Sequence, residues 1–277
     1  MNMKQIPTPS SPLALYEAVP AGPPAEGIDE NVPLVLGHAL GSNRHMWDEA
    51  ITLLPRNLSV LVWEQPGHGH SALLSASDPS AADTAAALHD ALADAGVSAA
   101  HIAGLSLGGM VSLAYAQAYP QDTVSLSVLD SGPALPPSSM WRERATQVDD
   151  GGLASLVEGT MERWFTPEFA SGDGAEAVKK IRSIFLSTSP AGYAQCCRVI
   201  ANTDLTSGVD TTQKTTLVLT GAGDLGTSPA DAQALATLIS DGPAIIVEDA
   251  RHLTAVEQPE AVVKALVERV TGGETSE

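Results

Sequence analysis

The sequence His101-Ile-Ala-Gly-Leu-Ser-Leu-Gly-Gly-Met110 joins a short apolar run to a G-x-S-x-G turn, and a helix-like segment follows directly. This order predicts a strand, an abrupt turn and a helix. In such a turn the serine adopts a strained backbone conformation, so the residues two positions before and after it must be nearly free of side chain. Gly104 and Gly108 meet that demand. Ser106 is therefore the predicted nucleophile, and the N–H of Leu107, at the start of the new helix, is the first predicted oxyanion donor.

Segments with strand and helix patterns alternate along most of the chain. Besides the strand before Ser106, apolar runs predict strands at 13–19, 32–36, 58–63, 124–129, 216–221 and 244–247. Helical spacing of apolar residues predicts helices at 47–54, 80–96, 229–239 and 259–270. Alternation of this kind is typical of an α/β protein with a mostly parallel sheet flanked by helices, which binds ligands at the carboxyl ends of the strands.

Between about residues 133 and 210 the pattern changes to helices alone. Apolar side chains there keep helical spacing and no strand pattern intervenes. We predict a helical cap inserted into the α/β core. The predicted organisation is a first part of the core at 1–135, the cap at 136–212 and a second part of the core at 213–277.

Composition and charge exclude several kinds of partner. The chain has 33 acidic and 14 basic residues and a net charge of -19, so a large basic surface for nucleic acid or anionic lipid is hard to build. The longest apolar runs fall far short of the roughly 20 residues that a membrane helix needs. We expect a small-molecule substrate and neither a nucleic acid nor a membrane as partner; the sequence leaves the oligomeric state open.

The beginning of the chain and its cysteines indicate a compartment. The first residues, Met-Asn-Met-Lys-Gln-Ile-Pro, lack the continuous hydrophobic segment of a secretory signal. The two cysteines, Cys196 and Cys197, are adjacent and poorly placed to bridge each other. Both observations favour the reducing cytoplasm.

A serine hydroxyl needs a base to act as a nucleophile at neutral pH, and the base needs an acid to fix its tautomer. Where a G-x-S-x-G turn carries the nucleophile, the acid and the histidine follow the serine along the chain. Six of the seven histidines precede Ser106, which leaves His252 as the predicted base. It lies just after the predicted strand 244–247, where a loop at the carboxyl edge of the sheet can reach the serine.

Two aspartates compete for the role of the acid. Asp224, in Gly221-Ala-Gly-Asp224, leaves a predicted strand at the same edge, and the flanking glycines permit the turn that aims it. Asp130 also ends a strand next to the serine strand and is the rival. Asp249 is too close to His252 along the chain to be the first choice. We predict Asp224.

The loop after the first buried strand, Gly37-His38-Ala39-Leu40-Gly41-Ser42, can supply the second oxyanion donor. The N–H of Leu40 is the predicted donor, with Ala39 as the alternative. Glu64 and the pair His68 and His70 suggest metal ligands at first sight. Two histidines in a glycine-rich loop make a poor ligand set, so we predict rim structure there and no metal.

At this point the chain resembles the α/β-hydrolase family and, within it, the 3-oxoadipate enol-lactonases. The resemblance spans about residues 33–271 and rests on the motifs at 104–110, 67–71, 221–224 and 252–259. Two cap stretches, 162–169 and 189–197, resemble that subfamily in particular. One departure concerns the turn before Gly-His-Gly, where the family usually has Asp and Arg and this chain reads Glu64-Gln-Pro-Gly67. The resemblance implies the α/β-hydrolase fold, with the cap inserted after the sixth strand.

The resemblance also implies a reaction, the hydrolysis of a small carboxylate-bearing lactone, and no cofactor. Such a substrate needs a cation or hydrogen-bond donor in the cap. Trp141, Arg142 and Arg163 are the predicted substrate-binding residues, and Arg144 and Arg198 are further candidates. Alternative functions are a carbon–carbon bond hydrolase of a ring-fission product, a general carboxylesterase, and a ligand-binding protein that has kept the fold without turnover.

Overall fold

The computed structural model describes residues 3–135, 137–209, 216–240 and 242–272. Among these residues the centre of the protein is an eight-stranded sheet with the strand order β1-β2-β4-β3-β5-β6-β7-β8. The strands are β1 (Lys4–Ile6), β2 (Leu15–Ala18), β3 (Leu34–Gly37), β4 (Val60–Trp63), β5 (Ala100–Leu105), β6 (Thr123–Leu129), β7 (Thr216–Gly221) and β8 (Ile245–Val247). β2 pairs antiparallel with β1 and β4, and all other pairs are parallel. The predicted α/β-hydrolase fold is confirmed.

The helices either flank the sheet or lie between β6 and β7. In chain order they are α1 (Asp48–Leu53), α2 (Ala81–Asp94), α3 (Leu107–Ala118), α4 (Ser138–Gly151), α5 (Val157–Trp164), α6 (Pro167–Ser171), α7 (Ala175–Ser187), α8 (Pro190–Ala201), α9 (Pro229–Ile239), α10 (Thr254–Glu257) and α11 (Pro259–Thr271). α2 packs against α3, α1 against α11, and α9 against β7. Because helices cover the sheet, the central strands β3, β4 and β5 are buried at every position, which explains why their sequences are apolar apart from the buried His101 of β5.

The inserted helices α4 to α8 dock on the core through specific contacts. The Gln195 side chain of α8 exchanges two hydrogen bonds with the backbone of Leu74, of 2.9 and 3.0 Å. Lys180 of α7 pairs with Asp48 of α1 at 2.8 Å. The predicted cap boundaries, at 136 and at 212 to 213, lie outside the described residues.

Most predicted elements are present, and the differences are local. The predicted helix at 47–54 is a 3-10 turn at Arg44–Trp47 followed by α1. The sequence patterns did not indicate β1 or α10: β1 (Lys-Gln-Ile) is not an apolar run, and α10 is a single turn of four residues that shows no helical period. In the described part of the chain, no helix has the length and apolarity needed to span a bilayer.

Candidate active site

Ser106 lies between β5 and α3 in a sharp turn. Its backbone has φ 59° and ψ −120°, a left-handed conformation that non-glycine residues seldom adopt. A Cβ on Gly104 would lie 2.2 Å from the backbone of Gly108, and a Cβ on Gly108 would lie 2.4 Å from the carbonyl oxygen of Gly37. Both glycines are therefore required by close backbone approach, as the sequence predicted.

His252 and Asp224 approach Ser106 from the loops after β8 and β7. The His252 Nε2 lies 2.9 Å from the Ser106 Oγ, and its Nδ1 lies 2.8 Å from Oδ2 of Asp224. The other carboxylate oxygen of Asp224 accepts the N–H groups of Gly226 and Thr227, at 2.7 and 3.2 Å. These two bonds fix the carboxylate, so that Oδ2 stays directed at the imidazole. The structure thus brings together the three residues that the sequence assigned to a triad.

The surroundings push the pKa values of the two candidate acids apart. Burial raises the pKa of Asp224, but attraction to His252 and the hydrogen bonds outweigh it, and the net shift is downward. Burial raises the pKa of Asp130 to about 8. The pKa of His252 is lowered by burial and raised more strongly by Asp224, with a net increase. A pair of carboxyl groups separated in this way identifies Asp224 as the one that is ionised at neutral pH.

Asp130 has a different set of partners. Its carboxyl oxygens accept the N–H of Gly221 at 3.0 Å and hydroxyl groups from Thr220 at 3.3 Å and Thr254 at 2.5 Å. Within the described residues it has no hydrogen bond to His252. The fully buried Asp130 therefore fastens the turn that carries the acid to the loop that carries the base.

The loop after β3 leaves one N–H free near the serine turn. The Ala39 N–H donates to Met46 Sδ at 3.4 Å, and the Gly41 N–H donates to His68 Nε2 at 3.0 Å. In the described part of the chain, the N–H of Leu40, between them, has no hydrogen-bond acceptor. Leu107 is the first residue of α3, so its N–H also lacks a partner within the helix. This arrangement favours Leu40 over Ala39 as the second oxyanion donor.

The histidines of the rim are structural. Burial lowers the pKa of His68 to about 3, so its imidazole is neutral and can accept the Gly41 N–H. The His70 imidazole Nδ1 lies 2.9 Å from the Tyr16 hydroxyl, and the backbone N–H of His70 donates to the buried Glu64 carboxylate at 2.8 Å. No group of three or more metal-ligating side chains occurs among the described residues. Sequence reasoning missed Tyr16, because nothing local in the sequence links β2, which carries Tyr16, to this turn.

Glu64 is balanced by an arginine that the sequence analysis did not single out. The Arg44 guanidinium pairs with Glu64 at 2.6 Å and lies 4.2 Å from the Tyr16 ring centroid. A buried carboxylate needs such a partner, so the unusual Glu64-Gln-Pro-Gly67 turn is stabilised by a cation from outside the motif.

Two cap arginines act electrostatically on groups at the candidate site, Arg163 on His252 and both on Tyr193. Arg163 lies near the end of α5, next to Trp164. The Trp164 carbonyl oxygen accepts the N–H of Leu253, the residue after His252, at 3.2 Å. Arg144 lies 5.1 Å from the ring centroid of Trp141, and its charge opposes the effect of burial, which raises the pKa of the Tyr193 hydroxyl.

The placement of Arg142 corrects a prediction. Its side chain is half exposed, ion-paired with Asp78 at 3.6 Å and hydrogen-bonded to Asn202. Two positions along a helix correspond to a rotation of about 200°, so Arg142 and Arg144 lie on different faces of α4. Arg144 therefore replaces Arg142 as a candidate binding residue, and Arg198, paired with Asp149, is also removed from the set.

An α/β sheet with a serine turn and an inserted helical cap defines a class of protein, and sequence comparison agrees. The chain belongs to the alpha/beta hydrolase family, whose model matches residues 34–265.

Individual relatives indicate which kinds of hydrolase the chain is similar to. A 3-oxoadipate enol-lactonase of Acinetobacter baylyi, 3-oxoadipate enol-lactonase 2, is 30% identical over 240 residues, covering 85% of this chain and 88% of that protein. The crystal structure of the enol-lactonase from Burkholderia xenovorans LB400 matches with a TM-score of 0.82 at 25% identity, covering 94% of this chain and 97% of that one. A pimeloyl-(acyl-carrier protein) methyl ester esterase of Aromatoleum aromaticum is 28% identical over 258 residues, covering 87% of this chain and 98% of that protein. The chain is a hydrolase similar to enol-lactonases and, at nearly the same identity, to other ester hydrolases.

Proposed function

We propose that this protein is a serine hydrolase that opens a small carboxylate-bearing lactone through an acyl-enzyme, as an enol-lactonase of aromatic-compound degradation does. The observation that carries the proposal is the hydrogen-bonded chain from Ser106 through His252 to Asp224, beside the cap residue Arg163. The similarity to enol-lactonases supports the choice of a lactone.

The proposed mechanism assigns one step to each group. His252 Nε2 takes the Ser106 proton while the serine oxygen attacks the ring carbonyl, and Asp224 stabilises the imidazolium that forms. The N–H groups of Leu107 and Leu40 hold the tetrahedral oxyanion. Collapse breaks the ring C–O bond, and the leaving enolate takes the proton and becomes a ketone. Water, deprotonated by His252, then attacks the acyl-enzyme and releases the new carboxylate and Ser106.

The acidic protein needs a local cation to hold an anionic substrate. Arg163 lies next to the base loop, and Arg144 lies with Tyr193 and Trp141 on the facing helices. The reaction as proposed uses no cofactor. The substrate is a small molecule, and we propose a cytoplasmic enzyme, for which the two buried free cysteines are support.

A general carboxylesterase is the second candidate function. The likeness to the pimeloyl methyl ester esterase favours it, because the same triad would hydrolyse an ester whose alcohol leaves in place of the enolate.

A panel of substrates tests the proposal. We expect the carboxylate-bearing enol-lactone to have a higher kcat/KM than its methyl ester, a dienoate ring-fission product or p-nitrophenyl acetate. The Ser106→Ala variant should lose about three orders of magnitude or more of kcat with its fold intact. Equal rates on the acid and its methyl ester would favour the carboxylesterase, preference for the dienoate would favour carbon–carbon cleavage, and no turnover at all would favour a binding protein.

A further inference from the structure

Most arginines of the cap are neutralised by carboxylates of the protein. Arg142 pairs with Asp78, Arg182 with Glu158 and Arg198 with Asp149. Within the described residues, neither Arg144 nor Arg163 has a carboxylate within ion-pair distance, in a chain with 33 acidic residues.

The two guanidinium groups act on the same side chain of the cap, and Arg163 also acts on His252. Both act electrostatically on the Tyr193 hydroxyl, and Arg144 also lies 5.1 Å from the Trp141 ring centroid. Burial, and then repulsion from Arg144, lowers the pKa of Arg163. Two cations that repel each other and have no carboxylate within ion-pair distance form an unfavourable arrangement that an anionic ligand would relieve.

Each arginine is connected to a different side of the catalytic group. The Tyr193 ring, on the Arg144 side, packs so closely on Gly41 that a Cβ there would lie 2.8 Å from it, and Gly41 follows the oxyanion donor Leu40. Arg163 lies on the side of the base, because its neighbour Trp164 accepts a backbone hydrogen bond from Leu253, the residue after His252. A ligand that contacts both arginines would therefore reach from the oxyanion loop to the loop that carries the base.

We propose that Arg144 and Arg163 form a binding site for short aliphatic dicarboxylates, through which the enzyme is inhibited by products of its own reaction. The proposal rests on the proposed function. Hydrolysis of a carboxylate-bearing lactone adds water across the ring C–O bond, and the new acid loses a proton to solvent. The substrate thus carries one carboxylate and the product two. One carboxylate occupies the position of the substrate carboxylate, and the other remains where the acyl group was released.

Calorimetric titration of the wild-type protein tests the site directly, because dicarboxylates are not turned over. The probes are glutarate and adipate, and hexanoate is the monocarboxylate of the same length as adipate. We expect the better of the two dicarboxylates to bind at least about tenfold more tightly than hexanoate, since it gains a second charge-assisted contact. Equal affinity for adipate, glutarate and hexanoate would overturn the proposal.

Variants assign the binding to the two arginines. Arg144→Gln and Arg163→Gln should each weaken dicarboxylate binding by about ten- to a hundredfold, the effect of losing one charge-assisted contact. The matched controls Arg142→Gln and Arg198→Gln remove cap arginines whose partners are acidic side chains, and should leave it within about twofold. Equal losses in all four variants would show a general effect of charge and reject the site.

The outcome is separable from that of the proposed function. If dicarboxylates bind through the two arginines but the enol-lactone is not hydrolysed, the site stands and the lactonase function falls. If the lactone is hydrolysed and no dicarboxylate binds, the function stands and this site is rejected. Competitive inhibition by adipate of p-nitrophenyl acetate hydrolysis, lost in Arg144→Gln and Arg163→Gln, would place the ligand over the serine.

Discussion

Replacing Gly192 by alanine is expected to displace α8 from the core and to weaken both stability and catalysis. A Cβ at this position would lie 2.2 Å from the carbonyl oxygen of Gly67 and 2.6 Å from its carbonyl carbon. Unstrained carbon–oxygen contacts are about 3.3 Å or longer, so the two segments must separate by about 1 Å. The Gly67 N–H is held by Ala72 in its own turn, and the movement therefore falls on α8.

The size of the effect follows from this displacement. Overpacking of a close contact costs about 1–3 kcal/mol, and each kcal/mol lowers the Tm of a chain of this size by about 2–4 °C. Alanine ordinarily stabilises a helix relative to glycine by up to about 1 kcal/mol, so a loss here has a steric cause. Tyr193, the next residue, packs on Gly41 beside Leu40. A misplacement of about 1 Å at such a position can lower kcat/KM by about a hundredfold.

Thermal unfolding and kcat/KM on the best substrate measure the two effects. The matched control is Gly151→Ala, at the end of α4 in the same cap, where a Cβ meets no atom within 4 Å. This variant should keep the Tm and kcat/KM of the wild type. A Gly192→Ala protein with wild-type Tm and kcat/KM would refute the contact as the element that sets the position of the cap.

Three further predictions concern charge. Asp224→Asn should lower kcat/KM by about four orders of magnitude, as in serine proteases that lose this acid. Asp130→Asn should keep kcat/KM within about tenfold of the wild type, because burial raises the pKa of Asp130 to about 8. If Asp130→Asn had the larger effect, the acid would be the aspartate after β6. Since the pKa of His252 is above its usual 6.5 and the base must be neutral, kcat/KM should fall with acid below a midpoint above pH 6.5, and a lower midpoint would contradict the coupling to Asp224. Burial raises the pKa of Asp48, but His45 and Lys180 lower it to a net value of about 2. The Lys180→Met variant should therefore have a lower Tm than the wild type, with the full difference above about pH 4 and a smaller one toward pH 2. A Tm difference that does not change with pH would argue against the ion pair.

Much of the fold is predictable because its causes are local. The central strands β3, β4 and β5 are recognisable since both faces are buried and their sequences have no polar alternation, and the turn at Ser106 is recognisable since only glycines fit at 104 and 108. β1 escaped detection because its sequence, Lys-Gln-Ile, is not apolar and it forms by pairing with β2, and α10 because a single helical turn carries no measurable period.

The sequence by itself determined the order of strands and helices, the serine turn, and the choice of His252 as the histidine that follows it. The sequence favoured Asp224 over Asp130, and the tertiary structure shows that of these two neighbouring strand ends it is Asp224 whose carboxylate reaches the imidazole. Only the tertiary structure decided between Arg142 and Arg144, since the rotation of α4 about its axis depends on how the helix packs on the core. Backbone sterics and periodicity act over a few residues and can be read along the chain, whereas the direction of a side chain toward a site is set by long-range packing.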